Sequence, residues 1–303
     1  MLLLTIVLLT LALGCAPASK DAATQEADGS THEAEVLAYR QAREERLRQP
    51  QGWLTLVGLH WLREGPNTFG SDPGNRVVFP EGKAPASAGA FHVGNGQVRV
   101  EAEPGAAITH DGRPVANLAL QSDAAGEPTI LEMGSLQFYL IDRAGQLGIR
   151  VRDTESEVLA SFEGLDYYPI HPAWRITARF EPYDTPRSVK VPNIIGTVFD
   201  EPSSGALVLD LEGRTFRLDA LPNGANHLLV FGDTTNGSET YGGGRFLELE
   251  LPQEAGPVVL DFNKTYNPPC VFTPYATCPL PPANHRLPVA IRAGERGYTG
   301  VGH

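Results

Sequence analysis

From Gly65 onward the chain is cut into short apolar runs by turn dipeptides, and that punctuation steers it toward antiparallel strands. Asp72-Pro73-Gly74-Asn75, Asn95-Gly96, Asp111-Gly112 and Glu212-Gly213 mark the turns. Between them 77–79, 98–100, 136–141 and 148–151 read as strands, several with alternating apolar and polar residues. With 32 glycines and 25 prolines in 303 residues, turns outweigh long helices. The spacing predicts a mainly β fold, with sandwich- or barrel-like units of short antiparallel strands and one N-terminal helix. Pro169, Pro172, Pro182 and Pro186 place a break near 167–186. It divides the chain into a helix plus first β unit over 31–166 and a second β unit over 167–303.

The first 14 residues, MLLLTIVLLTLALG, are apolar, uncharged and too short to span a bilayer as a helix, so they read as a signal peptide. Leu11-Ala12-Leu13-Gly14-Cys15 follows, and it resembles the bacterial lipobox, which implies cleavage before Cys15 and acylation of that cysteine with chains such as palmitate. Acyl chains on Cys15 would hold the protein on a membrane without a transmembrane helix. The expected address is the cell envelope, on the outer membrane facing the periplasm in a Gram-negative cell. Residues 15–30 lack apolar periodicity and read as a tether. Ser30-Thr31-His32-Glu33 is a capping-box pattern that predicts a helix from Thr31 to Gln49, ended by Pro50, with one narrow buried stripe among Val36, Leu37, Tyr39 and Leu47. The segment 52–62 is the most apolar of the mature chain and is expected in the core, with His60 as a hydrogen-bonded core histidine.

Charge narrows function: 24 Lys plus Arg against 36 Asp plus Glu, a net of -12, lacks the basic footprint that nucleic acid needs. The eight histidines never fall at His-x-His or His-Glu-x-x-His spacing, so no metal site and no cofactor is expected. No nucleophile elbow, P-loop or dinucleotide fingerprint occurs. Chemistry-bearing residues gather in the last quarter. The loop 231–247 is glycine-rich and brings Asp233, Glu239, Tyr241 and Arg245 together. Two readings stay open there: a ligand loop that offers Arg245 and backbone N–H groups to an anion, or a hairpin with an internal Arg245 pair to Asp233 or Glu239. In 260–282 six prolines forbid helix and hold Asp261, Asn263, Tyr266, Asn267 and Tyr275 on an irregular chain. Cys270 and Cys278 are expected to pair in an oxidising compartment, with a metal site or a nucleophilic thiol as alternatives.

Asp261-Phe262-Asn263, Tyr266-Asn267-Pro268-Pro269-Cys270, the segment 272–282, the segment 52–62, and Thr240-Tyr241 with Gly244-Arg245-Phe246-Leu247 resemble the bacterial and archaeal family known as domain of unknown function 1684. The resemblance runs from about residue 34 to residue 298 and implies no activity, because that family is uncharacterised. A fainter similarity links 67–80 to the forkhead-associated sandwich, but Ser71 stands where that family has an arginine, so no phosphopeptide site is expected. The expectation is a lipid-anchored extracytoplasmic protein that binds a small polar or anionic ligand, or an envelope partner, through Tyr241, Arg245, Asn263, Tyr266, Asn267 and Tyr275. The enzyme alternative is a hydrolase at the envelope with Asp233, Glu239 or Asp261 as acid or base.

Overall fold

The computed structural model describes residues 20–300, so the expected signal peptide and Cys15 lie outside the described residues. The fold is mainly β, as the turn spacing predicts. A five-stranded sheet runs in the order Val77–Val78, Gly65–Gly70, Gly89–Gly94, Gln97–Ala102, Asn117–Leu120. It faces a six-stranded sheet ordered Leu56–Trp61, Gln146–Asp153, Leu136–Arg143, Leu131–Met133, Thr109–His110, Arg113–Pro114. Their inner faces interdigitate around Phe69, Phe79, Phe91 and Phe138, whose rings lie 4.5 to 6.2 Å apart. The Asn95-Gly96 turn closes its hairpin with φ of 53° and 72°, the left-handed pair that fits the twist of the flanking strands.

The second half builds its own core, with Phe180, Leu207, Leu209, Leu218, Phe231, Leu260 and Phe262 at its centre. A four-stranded antiparallel sheet runs Arg214–Asp219, Val198–Leu211, Arg175–Pro192, Gly256–Asp261. A three-stranded sheet, Leu221–Asn223, Asn226–Phe231, Arg245–Leu249, packs on it. Pro182 and Pro186 do not break the chain as expected. They sit inside the strand Arg175–Pro192, where the pairing register shifts between Pro182 and Arg187, so the missing N–H groups leave no gap in the ladder.

The N-terminal helix also departs from expectation: it spans Lys20–Arg48, so Ser30 lies within it rather than capping it, and the expected tether is helical from Lys20. The narrow buried stripe exists, but only Val36 and Leu47 of the named residues are wholly in it, and Leu37 is 52% exposed. Its other members are His32 and Arg43. Polar side chains thus dock this helix as much as apolar ones do. The segment after it forms a one-turn helix, Trp53–Thr55, and the edge strand Leu56–Trp61. There His60 is half-buried at a cleft instead of sealed in the core, since it lies toward the solvent end of an edge strand.

Candidate functional site

The ion pair between Arg245 and Asp233 is wholly buried, with the Nη2 donating to Oδ2 at 2.6 Å. The same guanidinium donates to the carbonyls of Ile291 at 2.6 Å, Glu295 at 3.3 Å and Ala293. Thr235 supplies Asp233 with its backbone N–H at 2.7 Å and its hydroxyl. Arg245 therefore ties the C-terminal stretch 291–295 to the hairpin, and the internal-pair reading holds over the ligand reading for Arg245 and Asp233. Glycine in this loop serves packing: at Gly244, φ +89°, an added Cβ would lie 2.5 Å from Pro281 and 2.6 Å from the Phe231 carbonyl.

Asp261 and Asn263 are likewise interior. The Asp261 carboxylate meets His32 Nε2 at 2.8 Å and accepts from the Asn263 amide at 2.8 Å. Asn263 in turn grips the backbone N–H and carbonyl of His171 at 3.0 and 3.1 Å. One helical stretch further along, Arg43 Nε donates to Glu295 at 3.0 Å and Nη2 to the Asn267 carbonyl at 3.0 Å. The Asn267 backbone N–H donates to the other Glu295 oxygen at 2.7 Å. Tyr266 donates to Glu248 at 2.9 Å and places its ring 4.7 Å from the Arg43 guanidinium. Burial pushes the Glu295 carboxyl up while Arg43 opposes it. Burial also pushes the Tyr266 phenol up. Asn263, Tyr266 and Asn267 thus lie in the strip that docks the helix, which corrects their assignment as ligand-binding residues: Asn263 is bonded to His171 and Asp261, the Tyr266 hydroxyl to Glu248, and the Asn267 amide donates to the Arg296 carbonyl. His32, Arg43 and Glu295 were missed by sequence reasoning. Positions 32, 36, 43 and 47 share one helical face, and two charge-capable residues in an otherwise apolar stripe were the available signal.

Glu239 is separate again. Its carboxylate accepts from Tyr168 at 3.0 Å and from Arg292 Nη2 at 2.7 Å, and Arg292 with Tyr168 holds it below the usual carboxylate range. It borders a cleft of about 520 Å³ together with Tyr241, Arg296 and Tyr298. Asp233, Glu239 and Asp261 thus stand in three separate hydrogen-bond networks, with Arg245, with Arg292 and Tyr168, and with His32 and Asn263, and are not paired with one another.

Cys270 and Cys278 form a disulfide with Cα atoms 6.2 Å apart, both residues buried, so neither is a thiol or a metal ligand. Among the described residues no group of three or more His, Cys, Asp or Glu could hold a metal ion. The loop that this bridge closes carries Thr273, Pro274 and Tyr275 to the wall of a cleft of about 710 Å³. Its opposite wall is the first unit: Leu56, Val57, His60, Val78, Phe79 and Val158. The Thr273 hydroxyl joins the walls by donating to the Leu56 carbonyl at 3.0 Å. The charged lining residues are Lys83, which pairs with Glu155 at 2.6 Å and Asp153 at 3.5 Å, and Glu157. Glu155 raises Lys83, whereas burial and then Arg76 push the His60 imidazole down and keep it neutral. One cation against three carboxylates leaves this lining acidic. Tyr275, 37% exposed, is the one residue of the expected ligand set that reaches this cleft.

Residues 160–296 match the family described as Protein of unknown function (DUF1684). The chain belongs to that family. The DUF1684 segment supplies Phe272 to Tyr275, one wall of the cleft, while the other wall comes from residues that precede it. An uncharacterised protein of Haloarcula marismortui, solved by solution NMR, is 32% identical over 47% of this DUF1684 chain and 80% of its own, with a TM-score of 0.39. No curated protein matches.

Proposed function

We propose that this chain is a lipid-anchored, extracytoplasmic binding protein whose cleft between the first β unit and the disulfide-clamped loop takes a small amphiphilic molecule. The observation that carries this reading is the cleft itself. Its volume of about 710 Å³ suits a small organic ligand, its surface is mainly apolar, and its charged residues are Lys83, Asp153, Glu155 and Glu157, of which Lys83 pairs with both Asp153 and Glu155. An excess of carboxylates on an apolar surface favours a ligand with a hydrocarbon body and an amine or hydroxyl, rather than the wholly polar or anionic one expected from the glycine-rich loop. The Cys270–Cys278 bridge supports an oxidising compartment, and Cys15 supports the anchor.

The test is titration of the full chain with the apolar amine N-phenylnaphthylamine, read by its fluorescence. Saturable binding is expected, weakened at least about tenfold in Tyr275→Ala with Tm unchanged, since a half-exposed ring contributes contact to a ligand and little to the core. Absence of saturation, or equal binding by Tyr275→Ala, would overturn the cleft. In the same strain Cys15→Ser should move the protein from membrane to soluble fractions, and continued membrane attachment would overturn the anchor.

A further inference from the structure

Two buried arginines in the first unit pair with no carboxylate among the described residues. Arg150 and Arg152 lie two positions apart on Gln146–Asp153, so both side chains leave the face opposite to Ile149 and Val151, which point into the core. They are 4% and 6% exposed. Arg152 donates to the Gly52 carbonyl, and at 3.3 Å to both the Thr55 and Tyr139 hydroxyls. Arg150 has less. Its Nε has no hydrogen-bond partner. The groups that act on it are the Tyr139 hydroxyl and two further cations, Arg143 and Arg152. Among the described residues neither Arg150 nor Arg152 enters an ion pair.

Two aromatic rings lie beside both guanidinium groups. The Arg150 and Arg152 guanidinium carbons lie 5.5 and 5.4 Å from the Trp53 ring and 6.0 and 5.9 Å from the Tyr139 ring. Trp53 itself packs on Leu56, Cys270, Ala276 and Cys278. Ring quadrupoles offset part of the burial of a cation, but not two adjacent charges removed from water. A neighbouring arginine makes the position worse, and among the described residues neither cation has a carboxylate partner. A dianion bound there would relieve both cations at once.

We propose that Arg150 and Arg152, with the Tyr139 hydroxyl, form a receptor for a phosphate group. Two planar guanidinium forks and one hydroxyl match the charge and the acceptor oxygens of a phosphate dianion. Trp53 walls the site with apolar surface, which strengthens each charge-assisted hydrogen bond. Each of the three polar residues keeps a few per cent of its surface in solvent, so the group is not sealed. The site shares none of its residues with the 710 Å³ cleft and stands or falls independently of it.

Thermal unfolding of the full chain at neutral pH, in inorganic phosphate, in glycerol phosphate and in sodium chloride of equal ionic strength, tests the proposal. At about a hundredfold excess over Kd a phosphate compound should raise Tm by about 5 °C. The larger shift names the source, free phosphate or a phosphate ester. Arg150→Met should abolish the shift, and in phosphate-free buffer it should unfold no lower than the parent, because it deletes an uncompensated cation at conserved volume. Arg150→Lys keeps the charge without the fork and should bind at least about tenfold more weakly. An equal shift in sodium chloride, no shift in either phosphate compound, or a shift retained in Arg150→Met would overturn the receptor. A fall in Tm for Arg150→Met without phosphate would do the same, since it would make Arg150 a structural cation.

Discussion

Replacing Arg245 by alanine should unfold the second unit, and the size of the effect follows from what the side chain holds. The substitution removes four contacts at once: the 2.6 Å bond to Asp233 and those to the carbonyls of Ile291, Ala293 and Glu295. It leaves the Asp233 carboxylate, whose side chain is 0% exposed, with only Thr235 to donate to it. Breaking a buried pair by removing one partner costs about 4 kcal/mol, most of it the stranded charge. For a chain of this size that is a fall in Tm of about 10 °C. If the stranded charge is the cause, Asp233→Asn with Arg245→Met should cost less than Arg245→Met alone, by about 2 kcal/mol of coupling. Trp174 packs edge-on against Phe262, ring centroids 6.3 Å apart, and reports on this core. Urea unfolding followed by its fluorescence, with Trp53 and Trp61 changed to phenylalanine, isolates the relevant unit. An Arg245→Ala loss below about 1 kcal/mol would refute the structural reading, because a surface pair contributes no more than that.

The disulfide gives a second magnitude. Cys270→Ser with Cys278→Ser opens a loop of sequence separation 8 and should lower stability by about 2.5 kcal/mol on the chain-entropy account, measured by urea unfolding of the oxidised parent and the variant. An unchanged midpoint would remove the clamp from the cleft wall. His60 gives a pH signature. Its imidazole is pushed down by burial, so as pH falls the unfolded chain takes up its proton before the folded one does. The contribution of His60 is then fully present above its unfolded value of about 6.5 and declines as pH falls below it. Its imidazole proton resonances should titrate below that value in NMR, and His60→Gln should flatten the acid limb of stability. A midpoint at or above about 6.5 would contradict the half-buried setting.

Turn dipeptides were a sound guide to the strands, because a left-handed pair such as Asn95-Gly96 is a local conformational demand that the residues themselves state. The prolines of Arg175–Pro192 misled for a complementary reason: a proline forbids a ladder N–H only where the ladder needs one, and a register shift is a long-range property of two strands. The disulfide was legible from the cysteine count, since Cys270 and Cys278 are the only two cysteines besides Cys15. The polar residues of the last quarter were correctly singled out as fixed in place, yet their burial was not legible. Asp261, Asn263 and Asn267 meet partners 92 to 229 residues away, and nothing local distinguishes such a residue from one held ready for a ligand. Arg150 and Arg152 escaped notice because an alternating strand with arginine on one face reads as solvated. Only the second unit, which packs on that side through the Cys270–Cys278 cluster, removes the water.

The same long-range contacts bear on how the proposed cleft works. The helix Lys20–Arg48 is pinned to the second unit through His32 to Asp261 and Arg43 to Glu295, and the chain then passes through Trp53–Thr55 into the edge strand of the first unit. The disulfide loop returns from the second unit and bonds that edge strand at Leu56. Both connections converge on residues 53–56, so the two cleft walls share one anchor instead of meeting across a flexible linker. A cleft braced in this way needs little ordering on binding, and preorganisation of that kind leaves more of the contact energy as affinity. It also makes the anchor itself the point of leverage: opening the disulfide should weaken N-phenylnaphthylamine binding even though neither sulfur lines the cleft. Equal affinity in the reduced and oxidised protein would show instead that the Thr273 to Leu56 contact alone holds the walls.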